Sequence, residues 1–299
     1  MSQASDMVRK GFGEGDAARD AGLTTPEDIV RFDDIIYGPD PVWQRLDVYR
    51  PKEAVSEDGT LTKLPVIFSV HGGGWVYGDK ERYQFYCMSL AQRGFAVVNF
   101  TYRLAPEFKD PASLEDTNLV VAWILDNAQQ FGFDTDHIFG VGDSAGGHKL
   151  GLYAAICTNP AFAATFPFTV PDGFVPTAIG LNCGVYTFGD PTALNDLDLL
   201  IMKDLLPDGG TPEELEHIST VNFITKNYPP TFYMTCTGDF LKPQASYLSA
   251  ALLENDIPHE FHYFGNHEET LGHVFHLNIR SERAKEFNDR ECDYFKRFL

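Results

Sequence analysis

The sequence predicts an α/β fold: a mostly parallel sheet of about eight strands, flanked by helices and carrying a small cap insertion. Two observations point there. Short apolar runs bounded by turn signals alternate along the chain with segments of helical periodicity. In addition, 299 residues with 43% hydrophobic and 13% aromatic side chains are ample for one large buried core. A single domain over residues 1–299 is expected.

Residues 1–27 are polar and Gly-rich. "DIVRFDDIIYG" and "QRLDVYRP" then predict two edge strands, the second alternating through Leu46 and Val48. "KEAVSEDGTLTK" reads as a solvated loop. "PVIFSV" (65–70), "FAVVNFTY" (95–102) and "HIFGVG" (137–142) are short apolar runs of the kind that buried parallel strands require. Between the last two, "PASLEDTNLVVAWILDNAQQFG" sets Leu114, Val121, Leu125 and Ala128 on one face of a crossover helix. "PTAIGLNCG" (176–184), "PTFYMTCTG" (230–238) and "HEFHYFG" (259–265) predict three more strands, and "QASYLSAALLEND" and "SERAKEFNDRECDYFKRFL" two more helices. Residues 185–229 break this rhythm with an acidic, Pro- and Gly-punctuated insertion containing helical pieces, which reads as a small cap or lid.

Charge and cysteine usage narrow the function classes. A net charge of −20 repels nucleic acid and anionic membrane surfaces and favours a neutral or cationic small substrate. The first residues lack a secretory h-region, and no stretch approaches the ~18 apolar residues of a membrane span, so a soluble, cytoplasmic chain is expected. Five scattered cysteines with no C-x-x-C pair argue against a disulfide framework and against a zinc cluster.

The chemistry is carried by two glycine-rich stretches. "FGVGDSAGGHKL" follows a strand, holds the Gly-x-Ser-x-Gly core Gly142 to Gly146, and turns into a helical pattern. Glycines two before and two after Ser144 let the chain turn sharply, so that the Ser144 hydroxyl projects above the sheet, with a helix N-terminus beneath to favour developing negative charge. Upstream, "HGGGWVYGD" (71–79) places three glycines directly after a strand. Bare backbone there suits an oxyanion hole: the N–H groups of Gly73 and Gly74, with that of Ala145, would face the oxygen of a tetrahedral intermediate. His71 reads as bracing this loop. Trp75 and Tyr77 follow it directly and are candidate walls of an acyl pocket.

"HGGGW", "YRLAPE" (102–107), "GDSAGG", "GDFL" and "GHVF" occur in an order that resembles the hormone-sensitive-lipase-like branch of the α/β-hydrolases, specifically its bacterial carboxylesterases, over roughly residues 30–299. The resemblance implies an α/β-hydrolase fold and a serine esterase acting on short acyl esters. A serine hydroxyl needs an imidazole to take its proton and a carboxylate to orient that imidazole, here in the order Ser, acid, His. Asp239, just past "TFYMTCTG", resembles the family's acid in Asp-Pro-Leu, although Phe240 stands in place of the proline; Glu254 and Asp256 are worse placed. His273 in "GHVF" resembles the family's histidine turn, with His267 as the alternative base and His276 also in the tail. His267, His273 and His276 with Glu268 and Glu269 lack metal-site spacing. His148 reads as a helix residue under the site. Arg103, Asp116 and Asp143 read as scaffolding.

The expected activity is therefore a serine carboxylesterase for acetyl to butyryl esters, acetylated carbohydrates among them, needing no metal or organic cofactor. A serine peptidase or amidase of the same fold stays open, as does a non-catalytic ligand-binding member, against which the joint presence of Ser144, Asp239 and His273 speaks. The expected partner is a small-molecule ester, with no nucleic acid and no membrane; aromatic edge segments suit a homodimer. No exposed apolar lid helix is evident, which argues against action on long-chain fat.

Overall fold

The computed structural model describes residues 2–189 and 196–299. Eight strands, β1 (Ile29–Ile36), β2 (Arg45–Pro51), β3 (Leu64–Val70), β4 (Ala96–Phe100), β5 (Phe133–Asp143), β6 (Ala178–Asn182), β7 (Thr231–Cys236) and β8 (His259–Phe264), join in one sheet in the order β1-β2-β4-β3-β5-β6-β7-β8. β2 pairs antiparallel with both of its neighbours and every other pairing is parallel, so one strand runs against the rest. Continuous apolar runs lie at the centre because both faces of the sheet are covered: Val66, Ile67 and Phe68, Ala96, Val97 and Val98, and Phe139 and Val141 are all buried.

The helices are α1 (Gln3–Asp20), α2 (Lys80–Ala91), α3 (Ala112–Asp126), α4 (Ala128–Phe131), α5 (Ala145–Thr158), α6 (Pro160–Ala163), α7 (Asp196–Leu205), α8 (Pro212–His217), α9 (Gln244–Glu254) and α10 (Glu282–Lys296). Residues of α2 and α10 build the apolar layer on one face of the sheet, and residues of α3, α5, α7 and α9 build it on the other. The crossover helix predicted as one unit is divided at Asn127 into α3 and α4; Leu114 and Val121 are buried, while Leu125 and Ala128 pack at the margin of the core.

One expectation changes. "QRLDVYRP" is not an edge strand: β2 lies between β1 and β4 with both faces covered. Its polar position is accommodated by pairing, since the buried Asp47 carboxylate accepts from the Lys80 ammonium at 3.0 Å, the Tyr49 hydroxyl at 2.8 Å and the Asp34 amide at 2.8 Å. The polar, Gly-rich N-terminal segment forms α1, capped by the Ser2 side chain, which accepts from the Ser5 amide. Polar clasps hold α1 to the body. Ser2 and Ser5 hydroxyls bond Asp204 at the end of α7, Arg9 donates to the Val76 and Ala105 carbonyls at 2.7 and 2.9 Å, and Arg19 donates to the Arg82 carbonyl at 2.6 Å. The insertion 185–229 contains α7 and α8 among its described residues, and 190–195 lie outside them.

Glu291 of α10 is fully buried under β6; it accepts from the Asn182 side-chain amide at 2.8 Å and the Tyr86 hydroxyl at 3.3 Å. Burial pushes its carboxyl up from 4.5 to about 7, against those two hydrogen bonds. A raised folded value makes the stability contributed by protonation complete below the unfolded value and lost as pH rises through 7. The stability of wild type relative to Glu291→Gln should therefore fall between pH 5 and pH 8 in denaturant titrations; a pH-independent difference would refute this linkage.

Candidate active site

Ser144 sits between β5 and α5 with φ 51° and ψ −120°, a conformation that side-chain-bearing residues rarely adopt. Close approach holds the elbow in place. A Cβ on Gly146 would lie 2.0 Å from the Val70 carbonyl oxygen, and the Ser144 amide donates to the Asn182 carbonyl at 2.9 Å. No side chain other than hydrogen fits at Gly146.

Asp239 follows β7 and is buried. Its carboxylate accepts from the His273 Nδ1 at 2.7 Å, the Thr235 hydroxyl at 2.6 Å and the Leu241 amide at 2.9 Å. Burial acts to raise this carboxyl, but the bond to His273, that residue's charge and the other two donors outweigh it and hold the group below the ordinary carboxylate range. The loop beyond β8 is tied to the end of β7 by the Gly238–Gly272 bridge, where the Gly238 amide donates to the Leu271 carbonyl at 2.8 Å. That tie delivers His273 to Asp239. Val274, next along, is held at φ 52°, a strained position for a β-branched residue.

Ser144 and His273 line one cavity of about 290 Å³, together with Gly72, Gly73, Tyr77 and Phe240. Gly73 has φ +124°, and a Cβ there would meet the Tyr77 carbonyl oxygen at 2.1 Å. The Gly72 amide is occupied by the Tyr83 hydroxyl at 2.8 Å, whereas the amides of Gly73, Gly74 and Ala145 have no acceptor among the described residues. Gly74 does not itself line the cavity, a Cβ on it would meet Val8, Ile201 and the cavity residue Phe12, and Ala145 is buried as the first residue of α5.

Trp75 does not line the cavity. It is buried, its Nε1 donates to the His148 Nδ1 at 2.9 Å, and its ring packs on Phe188. A left-handed turn at Trp75, φ 64°, sends the side chain toward α5 and away from the opening, which sequence proximity to the loop could not show. Tyr77 does line the cavity. His148 is buried between Trp75 and the Ile218 carbonyl, and burial holds it down at about 3, so it is neutral. His71 is likewise buried and lowered to about 4; its Nδ1 donates to the Gly72 carbonyl at 2.8 Å, and its ring stacks on Tyr102 at 4.0 Å. His267 is 89% exposed beside Glu268, and His276 is fully buried. The three tail histidines therefore do not converge. Among the described residues, the one group of three or more His, Cys, Asp or Glu side chains whose ligand atoms lie within 4.8 Å of one another is Cys183, Asp239 and His273.

The scaffolding residues are engaged. Asp116 accepts from the Arg103 amide at 2.7 Å and its Nε at 2.9 Å. Asp143 accepts from the Tyr83 hydroxyl at 2.8 Å, and the same oxygen of Tyr83 accepts from Gly72. This chain couples the glycine loop to the serine elbow. Burial pushes the Asp143 carboxyl up to about 7. Tyr83→Phe removes the link and leaves the ring in place; kcat should fall about tenfold with KM nearly unchanged. An unchanged kcat would show that the loop holds its position without the hydroxyl.

The cavity has walls that pattern reading did not reach: Gly11, Phe12, Gly15 and Asp16 of α1, together with Phe240, Val274 and Leu277. The Asp16 carboxylate accepts from the Tyr77 hydroxyl at 3.0 Å and from Arg19 at 2.8 Å, and burial raises it. The helix itself has a signal in Ser2 before a run with few strand formers, but nothing local says where that helix docks.

The BD-FAE family model matches residues 46–252. The chain belongs to the BD-FAE family. The match spans β2 to α9 and so contains Ser144 and Asp239 of this BD-FAE member but not His273. It is similar to versiconal hemiacetal acetate esterase of Dothistroma septosporum, 31% identical over 224 residues, covering 69% of this chain and 66% of that protein. It is also similar to esterase LipC of Mycobacterium tuberculosis, 28% identical over 216 residues, covering 70% and 51%. The alignments thus span half to two thirds of these relatives' length. Among solved structures, esterase B from Lactobacillus Rhamnosis superposes with a TM-score of 0.87 at 26% identity, over 99% of this chain and 95% of that one. A form of that esterase inhibited with a tributyrin phosphonate gives 0.86 at 25% identity, over 100% and 96%. This BD-FAE member is thereby an α/β-hydrolase in fold, and its structural likeness includes α1, which lies outside the family-model match. Among its described residues no helix is long and apolar enough to cross a membrane.

Proposed function

We propose that this chain is a serine carboxylesterase that hydrolyses short-chain acyl esters through an acyl-enzyme. The observation that carries the reading is the 2.7 Å pair of His273 Nδ1 and Asp239, opening on the same cavity as the strained Ser144. In this mechanism Asp239 holds the imidazole so that Nε2 accepts the Ser144 proton as Oγ forms a bond to the ester carbonyl carbon. The carbonyl oxygen becomes the oxyanion and is received by the amides of Gly73, Gly74 and Ala145. His273 returns the proton to the departing alkoxide, the C–O bond of the ester breaks, and alcohol leaves. Water repeats the sequence on the acyl-enzyme and releases the acid.

A cavity of about 290 Å³, at the small end for ligand sites, supports acetyl to butyryl groups. The esterase names of the relatives, an acetate esterase among them, support the same reaction class. Acetates of hydroxylated alcohols, carbohydrates included, fall within it. The insertion 185–229 acts with α1 as a cap, since α7 packs against α1 and Asp204 holds its first turn.

The test is hydrolysis of p-nitrophenyl esters from acetate to octanoate by wild type and Ser144→Ala. Turnover falling beyond butyrate, with Ser144→Ala down by several powers of ten, is the expected result. An inert wild type, a fully active Ser144→Ala, or equal turnover of an aminoacyl anilide would overturn the reading.

A further inference from the structure

The middle of α1 carries Gly11, Gly13 and Gly15, each costing a helix about 1 kcal/mol relative to alanine. Close approach requires glycine at none of the three: on Gly13 a Cβ would meet the Tyr77 ring at 3.7 Å, an ordinary van der Waals contact. A Cβ on Gly11 or Gly15 would meet nothing within 4 Å, and neither residue has a positive φ, so alanine would fit both positions and strengthen the helix. Both line the cavity that holds Ser144 and His273. Four residues apart, they are neighbours on one helix face, one turn apart along the axis. The absent side chains therefore leave a notch in the wall of the cavity that holds the reactive serine, at a cost in helix stability that no neighbour in the protein requires.

We infer that Gly11 and Gly15 determine substrate size: the notch receives an uncharged alkyl arm of the ester, held between α1 and the rest of the cavity wall. This inference rests on the esterase reading above. The flanking groups fit an alkyl arm. Phe12 on α1 and the other lining residues Phe240 and Leu277 are apolar, and the Asp16 carboxylate is already engaged by Tyr77 and Arg19. The helix is also firmly placed, because Arg9 and Arg19 bond main-chain carbonyls on either side of the notch.

The experiment lengthens one arm at a time. Methyl acetate is the reference, methyl butyrate and methyl octanoate extend the acyl arm, and butyl and octyl acetate extend the alcohol arm, all followed by acid release. Wild type is compared with Gly11→Leu, Gly15→Leu and Gly15→Ala. In the leucine variants, kcat/KM for one of the two series should fall at least about tenfold relative to methyl acetate, and the series that falls names the arm. The ratio is taken within each variant, so a general loss of activity cancels. Gly15→Ala should melt ~2 °C higher than wild type, the mark of a glycine kept for space and not for packing. Equal losses on methyl acetate and the longer esters, no loss on either series, or a lower melting point for Gly15→Ala would overturn the inference. A wild type inert on every ester would instead reject the esterase reading and the inference with it.

Discussion

His273→Ala is expected to lower kcat by several powers of ten on any ester the wild type cleaves, while His267→Ala leaves it within about twofold. The two histidines lie six positions apart in one loop, and only their surroundings separate them. His273 is hydrogen-bonded to a buried carboxylate that accepts two further donors and is thereby fixed in direction. His267 projects into solvent beside Glu268 and does not line the cavity that holds Ser144. Nucleophile, base and orienting acid act as a unit, so Asp239→Asn should also cost several powers of ten and add little to His273→Ala. Steady-state kinetics on p-nitrophenyl acetate decides the matter. A substantial loss in His267→Ala, or a tolerated His273→Ala, would move the base.

Gly146→Ala should be among the most damaging single-methyl changes in the protein. The added Cβ would stand 2.0 Å from the Val70 carbonyl oxygen and 2.5 Å from that of His71, both main-chain atoms at the end of β3 that cannot rotate aside. Either α5 lifts away from the sheet or β3 bends, and each displaces Ser144 from the glycine loop. Loss of detectable esterase activity is expected, with a melting point lower by several degrees. Gly147→Ala is the control. There the Cβ would meet the Gly142 carbonyl at 3.2 Å and the Gly184 Cα at 3.3 Å, contacts that a few tenths of an ångström relieve, so folding and much of the activity should survive. Comparable damage from the two substitutions would mean that the elbow is governed by helix propensity and not by close approach.

Much of this could be read along the chain because it is local. The apolar runs of β3 and β5 and the glycines two positions either side of Ser144 express requirements that neighbouring residues impose on one another. The pairing of His273 with Asp239 was legible only through resemblance to a family motif, since 34 positions separate them and three histidines competed. Position in the sheet was less legible still. β2 alternates like an edge strand, yet it lies inside the sheet because β1 adds beyond it and Lys80 satisfies Asp47.

The sequence by itself determined the α/β class, the serine elbow and the glycine loop, each set by backbone sterics and hydrophobic period within a few residues. Only the tertiary structure decided that Trp75 turns into the core while Tyr77 faces the cavity, and that α1 supplies part of that cavity's wall. Those outcomes depend on which distant surfaces meet. Arg9 reaching the Val76 carbonyl and Asp16 reaching Tyr77 are contacts across 67 and 61 positions, and no local propensity encodes the meeting of segments so far apart.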